Sequence, residues 1–500
     1  MQLTGYQSFL NVLLKTYYYV LRLHKPKELV RVSILPPAKR EECPQIQIKL
    51  YTVVANKKEL DIIDQCVKLI LTRGLKVLDI CIMKSRKSRC QPMYLLPDVL
   101  SSVSTLTFLK ISDCVMLPLS LMVDVLNFKS LKKLRLKEVP LNPLVIKHLS
   151  AICPLLQELV VEWCYGFKKF CVNGRLQNLK KLRFSDNNEV ESIDIEAPNL
   201  CECFLTVGEW GGATSATLGS CKQLRTLYLH GPFFSTSIGF SDFLSNFPFL
   251  ENLSLYLVNR RDSLTVSSPS LRDFWLYDDC DLEEIDFNTP NLLIFKYANA
   301  WDYFTLKSDS GELKTCMECH IIDEVDTLWL LKLRQFLEKA NRFKILRLIN
   351  LHGRFSVDFE LLKGTQLPPY ELEHVELKMP IRDMLPVLDG LLWCFRPRSL
   401  SLTSIFSEMN DEEQSHFLKF ISEKLIRQED QGPTNIRIEW FFLPKPDRSL
   451  AGAHCLHHYP QSPLKRMKVV IRIRIRSGAR NIRGGVLNKF RGLWAKKEEF

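Results

Sequence analysis

An α/β solenoid, with a curved parallel sheet on its concave side and helices and turns on its convex side, is predicted by three features of the sequence. The segments Leu250-Glu-Asn-Leu-Ser-Leu, Leu271-Arg-Asp-Phe-Trp-Leu and Leu292-Leu-Ile-Phe-Lys-Tyr start 21 residues apart, and Leu313-Lys-Thr-Cys-Met-Glu follows at the same interval. Their shared frame, leucine-x-x-Φ-x-Φ with Φ apolar, alternates. It puts Leu253 and Leu255, or Phe274 and Leu276, on one face of a short strand, and Ser254 or Trp275 on the other. Frame leucines recur at 75, 106, 131, 156, 179, 200, 224, 250, 271, 292 and 313. Their mean period is close to 24, within the roughly 20 to 29 of leucine-rich repeats. One such unit cannot bury its apolar side alone; a stack can.

Residues 1–74 read as an N-terminal cap segment: a helical or mixed stretch from Phe9 to Leu23, a strand-like run from Leu29 to Leu35, and a loop from Pro36 to Pro44 marked by prolines and charges. A helix is expected from Asp61 to Arg73, where Ile62, Ile63, Cys66, Leu69 and Ile70 share a face, Asp61 caps the start and Gly74 marks the exit. Residues 75–320 form the repeat solenoid. Long units approach the frame through helical segments, as in Phe243 to Leu250 and Ile146 to Pro154. Short ones enter through the turns Ala197-Pro-Asn, Ser268-Pro-Ser and Thr289-Pro-Asn, where proline cannot continue a helix and the convex side is expected to be thinner. Residues 321–440 read as divergent repeats and a C-terminal cap, with weaker frames at Phe343, Leu372 and Arg398 and helices near Asp326–Lys339 and Asp411–Arg427. Residues 441–500 read as an irregular basic tail.

Composition narrows the function class. Apolar residues make up 46% and charged residues 25%, ordinary for a globular chain. No run approaches the roughly 18 apolar residues of a membrane span; Phe9 to Leu23 carries Lys15 and Arg22 and lacks the pattern of a signal peptide. The 16 cysteines are scattered, several at repeat positions (Cys66, Cys153, Cys203), which points to reduced, packed thiols and to the nucleus or cytoplasm. The net charge of +12 resides mostly in the tail, where Leu464 to Phe500 holds 12 Lys and Arg against 2 Glu, leaving 56 against 54 elsewhere. There, Val469 to Arg476 alternates isoleucine with arginine, a pattern that suits a strand added to the sheet edge or contacts with phosphates. No base-reading module accompanies it, so specific nucleic-acid recognition is not expected.

Walker A, Gly-x-Ser-x-Gly, dinucleotide-binding and His-Glu-x-x-His patterns are absent, so neither an enzyme nor a cofactor is expected. Cys316-Met-Glu-Cys-His320 spells the haem-attachment string, yet it falls inside a strand frame and lacks the second Cys/His pair of a zinc site. His454-Cys-Leu-His-His458 is denser in metal-ligand types but short and irregular.

The functional expectation rests on the frame's x positions, which line the concave face. Early repeats present charge: Lys110, then Lys133, Arg135 and Lys137, then Glu158 and Glu162, then Lys181 and Arg183. Later ones present aromatic groups: Phe204, Tyr228 with His230, Tyr256, then Trp275 with Tyr277, followed by Asp278 and Asp279. Large rings clustered on a sheet face are hot-spot chemistry for binding a target protein, although strands also favour aromatics for their own packing.

With these residues in view, the chain resembles the plant F-box/leucine-rich-repeat proteins over roughly residues 10–440. The resemblance is carried by Tyr94-Leu-Leu-Pro-Asp-Val-Leu with Leu106-Thr-Phe-Leu-Lys-Ile-Ser-Asp-Cys114, by the joints Cys153-Pro-Leu-Leu-Gln-Glu-Leu and Ala197-Pro-Asn-Leu, and by Leu388-Asp-Gly-Leu-Leu-Trp-Cys-Phe-Arg-Pro-Arg-Ser-Leu400. It implies the substrate receptor of a cullin-based ubiquitin ligase, joined through a Skp-type adaptor. The family opens with an F-box; nothing before residue 60 resembles one, and Phe9 to Ile34 is similar to the segment that follows it. A scaffold or decoy without ligase coupling is the alternative, and a basic-tail binder of nucleic acid or membrane surface the second.

Overall fold

The computed structural model describes residues 29–35, 45–54, 57–71, 75–84, 94–95, 103–115, 128–141, 153–172, 176–185, 190–208, 214–233, 237–257, 264–278, 284–298, 305–306, 315–321, 325–350, 355–365, 368–404, 420, 435–442 and 467–474. The chain divides into two compact units, Met1–Val258 and Asn259–Phe500.

In the first unit, β1 (Leu29–Leu35) runs antiparallel to β2 (Gln45–Val54). Past helix α1 (Lys57–Leu71) the pairing turns parallel and advances one repeat at a time. The strands are β3 (Val77–Lys84), β4 (Phe108–Ser112), β5 (Lys133–Lys137), β6 (Glu158–Glu162), β7 (Lys181–Ser185), β8 (Glu202–Thr206), β9 (Thr226–His230) and β10 (Asn252–Leu257). The ladder thus begins inside the segment 1–74 expected to be a cap. Ile48 and Leu50 bury on alternate positions of β2 as the repeats do, without a frame leucine to announce it.

Every frame leucine from Leu75 to Leu250 is fully buried. A tight turn delivers many of them to the core: the N–H of Leu131, Leu156, Leu179, Leu200 and Leu224 donates to the carbonyl three residues back, at 3.0–3.2 Å. An asparagine just before the leucine reinforces the stack. Asn178 Nδ2 donates to Pro154 O at 3.0 Å and Asn199 Nδ2 to Gln177 O at 2.8 Å, each reaching the previous repeat.

Behind the leucines helical approaches alternate with short strands, and strands lie where the proline turns made a thinner back expected. Lys169–Val172, Ser192–Ile195 and Ser215–Thr217 form a small parallel sheet of their own, while α2 (Ser237–Ser245) precedes β10. Segments of three or four residues cannot repay helix nucleation, whereas a strand can borrow its partners from neighbouring repeats. Between the two sheets pack Phe167, Phe170 and Phe184, with the last two rings 4.4 Å apart.

The second unit repeats this design. Its parallel strands are β11 (Asp273–Asp278), β12 (Ile294–Ala298), β13 (Thr315–Ile321), β14 (Phe343–Asn350), β15 (His374–Met379) and β16 (Leu400–Ser404), and β16 meets β17 (Asn435–Phe442) through Ser404 and Phe442. Leu264–Ser267, Glu284–Asn288 and Thr305–Leu306 make the small second sheet here, the first two each ending at one of the proline turns. Helices α3 (Thr327–Ala340), α4 (Phe359–Gly364) and α5 (Ile381–Cys394) cover the later repeats. Asp326 accepts from Trp329 N at 2.8 Å and Asp358 from Glu360 N at 2.9 Å, satisfying helix-start donors. A side chain at Gly390 of α5 would come within 2.6 Å of Leu330 Cδ1, so the glycine permits the close approach of α3.

The tail expected to be irregular over 441–500 contains β18 (Met467–Arg474), antiparallel to β17 with Arg472 opposite Arg437 and Ile471 opposite Ile438. The isoleucine–arginine alternation extends the sheet at that edge. Phe9–Leu23, the cluster His454–His458 and all of the expected helix Asp411–Arg427 except Phe420 lie outside the described residues.

Candidate functional site

The repeat frame places every second strand residue on the face opposite the leucines, and the register turns those residues into lanes that cross the strands. In the first unit the central lane runs Asp79, Lys110, Arg135, Val160, Arg183, Phe204, Tyr228 and Ser254. The next lane ends on Glu162, Ser185, Thr206, His230 and Tyr256.

Four of the expected recognition residues come together in this unit. Phe204 and Tyr228 lie with ring centroids 6.2 Å apart, Tyr228 and His230 stack at 6.1 Å, and His230 stacks on Tyr256 at 4.2 Å. Tyr228 Oη is 3.1 Å from His230 Nδ1, which fixes the imidazole against the phenol. Phe204, Tyr228 and His230 are half-buried and offer ring surface to a partner. Tyr256 corrects the expectation of an exposed aromatic. It occupies the open face, but only 5% of it is accessible because stacked neighbours cover the ring.

Charged side chains border the rings. Arg183 lies 4.8 Å and Lys181 5.4 Å from the Phe204 centroid, both within cation–π range. Further along, Glu158 receives Arg135 Nη2 at 2.6 Å and Lys133 Nζ at 3.2 Å. Burial opposes ionisation of Glu158, but the Arg135 and Lys133 contacts outweigh it and hold its carboxyl below the usual range. A folded-state pKa below the unfolded one means that this cluster stabilises fully above the ordinary carboxylate range and loses its contribution as pH falls through the lowered value. Glu158→Gln is therefore expected to cost about 1 kcal/mol at pH 7, kept small by solvent screening of two half-exposed cations. The difference from wild type should vanish at strongly acidic pH; denaturant midpoints measured across pH check this.

At the N-terminal end of the lane the open face is a polar staple. Tyr51 Oη donates a hydrogen bond to Asp79, and Lys110 Nζ lies 3.4 Å from the same carboxylate. At the strand exits, Asp113, Glu138 and Trp163 take positive φ of 57°, 54° and 52° at equivalent repeat positions, and Gly231 takes 125°. Nothing in the sequence pattern flags the three non-glycine residues.

The remaining expected residues fall in the second unit. Trp275 and Tyr277 are half-buried on the open face of β11, and Asp278 closes that strand; Asp279 lies outside the described residues. Trp275 stacks on His320 at 5.5 Å and lies 5.8 Å from Lys296 Nζ. Its Nε1 is buried without a hydrogen-bond partner among the described residues. The repeat frame gives no sign of the ion network beside it. Lys296 pairs with Asp273 at 3.0 Å, His320 with Glu318 at 2.8 Å, and Arg347 with Glu318 at 3.6 Å and Glu376 at 3.0 Å. Each partner comes from a different repeat, or from a different lane, so only the register reveals the contacts.

The haem-like string resolves into strand geometry. Cys316 and His320 share one face of β13 while Cys319 packs with Met317 on the other, so the two cysteines diverge. Burial pushes the Cys316 thiol up to about 11 and the Cys153 thiol up to about 12, and both are free. Among the described residues no group of three His, Cys, Asp or Glu could hold a metal ion, and no helix is long and apolar enough to cross a membrane.

Repeating strands, buried frame leucines and lanes of outward side chains agree with an independent comparison. Residues 41–230 match the family model described as At1g61320/AtMIF1, LRR domain. No curated protein matches the chain. The leucine-rich-repeat match spans β2 to β9 and so includes Phe204, Tyr228 and His230. Leucine-rich-repeat domains are typically non-catalytic protein-interaction modules, and the open face offers rings and paired charges.

Proposed function

We propose that the ring stack of the first unit captures a target protein, and that the chain acts in the nucleus or cytoplasm as the substrate receptor of a cullin-based ubiquitin ligase. The observation that carries the recognition reading is the alignment of Phe204, Tyr228 and His230 on consecutive repeat strands, half-exposed and bordered by Arg183. Rigid rings held by a sheet lose little entropy on binding and supply large contact area. Trp275 and Tyr277 offer the same chemistry in the second unit. The ligase role rests on the family resemblance, with a Skp-type adaptor as the second partner. In that scheme the repeats contribute to catalysis by positioning alone.

The test is affinity purification of the full chain from plant cells, beside Phe204→Ala and Tyr228→Ala variants. A target protein should co-purify with wild type and bind each variant about 30-fold more weakly, the equivalent of about 2 kcal/mol. Adaptor and cullin should remain with all three proteins. Retention of the target without the adaptor would make the chain a scaffold or decoy. Undiminished target binding by both variants would remove the ring stack from the interface.

A further inference from the structure

We infer that the segment bound on the first unit is acidic, with an aromatic or large apolar anchor about four to six residues from its carboxylates. This rests on the recognition reading above and specifies the chemistry of the partner. Over β4 to β7 the open-face positions hold six cations, Lys110, Lys133, Arg135, Lys137, Lys181 and Arg183, against the two carboxylates Glu158 and Glu162.

The vertical arrangement sharpens that imbalance. Side-chain accessibility is 50% for Lys133 and 44% for Arg135 but only 10% for the Glu158 between them. At the neighbouring lane position Lys110 is 28% accessible over an Asp79 that is 7% accessible. Around Glu158 and Asp79 the anions sit low and the cations stand above them, so a partner approaching Lys133, Arg135 and Lys110 from solvent meets positive charge; Lys181 instead pairs with the slightly more exposed Glu202 at 2.6 Å. One carboxylate shared by two cations leaves the pair of cations with net charge, and each ammonium retains more donors than one ion pair consumes. Lys137 is 38% accessible, lies 4.6 Å from the Trp163 ring and pairs with the half-exposed Glu138 at 3.6 Å.

Beyond this cationic field the same lane turns aromatic, first at Phe204 beneath Arg183 and then at Tyr228. Strands in a sheet are about 4.8 Å apart, so the distance across the lane from Arg135 to Phe204 or Tyr228 is roughly 14–19 Å. An extended peptide covers about 3.3 Å per residue, and four to six residues bridge that span. A segment lying across the strands, acidic at one end and carrying a ring or bulky aliphatic at the other, complements the face in charge and in shape.

A random peptide library displayed to the immobilised full chain tests this. Enriched sequences should carry Asp or Glu at the stated spacing from Phe, Tyr, Trp or Leu. A synthetic peptide of the enriched sequence should then lose at least about tenfold in affinity to Lys133→Glu, to Lys137→Glu and to Tyr228→Ala, and should weaken as salt is raised. Two separate charge reversals guard against one variant failing to fold, which circular dichroism reports directly. Neutral or basic peptides that depend on Tyr228 and ignore both charge reversals would overturn the acidic partner and leave the recognition face standing. Enriched peptides indifferent to Tyr228 as well would overturn both, and a library with no enrichment over the Lys133→Glu/Tyr228→Ala protein would overturn the inference. Equal competition by a single-stranded oligonucleotide would replace the acidic peptide with a nucleic acid as occupant.

Discussion

Phe295→Ala is expected to destabilise the second unit by about 4 kcal/mol, near the top of the range for truncating one buried side chain. The ring is fully buried and sits where the two sheets of that unit meet. It stacks on Phe274 at 5.6 Å, meets Phe287 edge-on at 5.0 Å, and lies 6.0 Å from Phe343, whose ring in turn stacks on Phe336 of α3 at 5.7 Å. Truncation removes the apolar transfer term, leaves a cavity lined by three rings, and forfeits aromatic pair geometry worth a further fraction of a kcal/mol per pair. Rings anchored on separate strands cannot collapse into the void without shifting the ladder. Phe295→Leu should recover about half of the loss, and Leu293→Ala, two residues away and 45% exposed, should stay within about 0.5 kcal/mol of wild type. Denaturant unfolding of the three variants checks the order. Equal effects at 293 and 295 would mean that the repeats do not share a core.

The same unit shows what a repeat frame conveys and what it hides. Leu271, Phe274, Leu276, Leu292 and Phe295 are recognisable as core from local spacing alone, because alternation and the position of the frame leucine are properties of a six-residue window. All are fully buried. Arg342 is different. It too is buried, donating through Nε to Thr315 Oγ1 at 3.1 Å and through Nη2 to Thr289 O at 3.2 Å, so it ties together a strand start and a turn that lie 27 and 53 positions earlier. Burial lowers its pKa from the usual range. No window of the sequence distinguishes this arginine from a solvated one. Tyr256 fails to be read for a related reason: alternation assigns a residue to a face, whereas its exposure depends on the rings in the neighbouring strands. The start of the ladder at β2 and the short strands behind β7 and β8 share that dependence, since their partners come from other repeats and their own sequences lack a frame. The lanes of the candidate site were legible as composition, residue by residue. Their vertical order, with Glu158 sunk beneath Lys133 and Arg135, was not, and the acidic-partner inference depends on that order.

Gly231→Ala is expected to cost the first unit about 3 kcal/mol and to disturb the ring stack as well. Two independent effects add at this position. Its φ of 125° lies in the region that L side chains rarely adopt, a strain on the order of 1–2 kcal/mol for alanine. A Cβ built there would also lie 2.6 Å from the carbonyl oxygen of Val207, backbone that Val207 N secures to His230 O at 2.8 Å. Relief requires moving the exit of β8 or of β9, and both choices act on the site. The exit of β9 carries His230, whose ring stacks on Tyr228 and Tyr256; β8 ends at Thr206, two residues past Phe204. The equivalent positions Asp113, Glu138 and Trp163 hold φ between 52° and 57°, the milder left-handed region, where glycine should be tolerated or slightly stabilising. Glu138→Gly therefore serves as the matched control: its denaturation midpoint should stay within about 0.5 kcal/mol of wild type, while Gly231→Ala unfolds early and binds the selected peptide more weakly than its residual folded fraction accounts for. A Gly231→Ala protein with wild-type stability would show that the exits of these strands yield freely, and a stack held by such exits would have no fixed geometry to offer a partner.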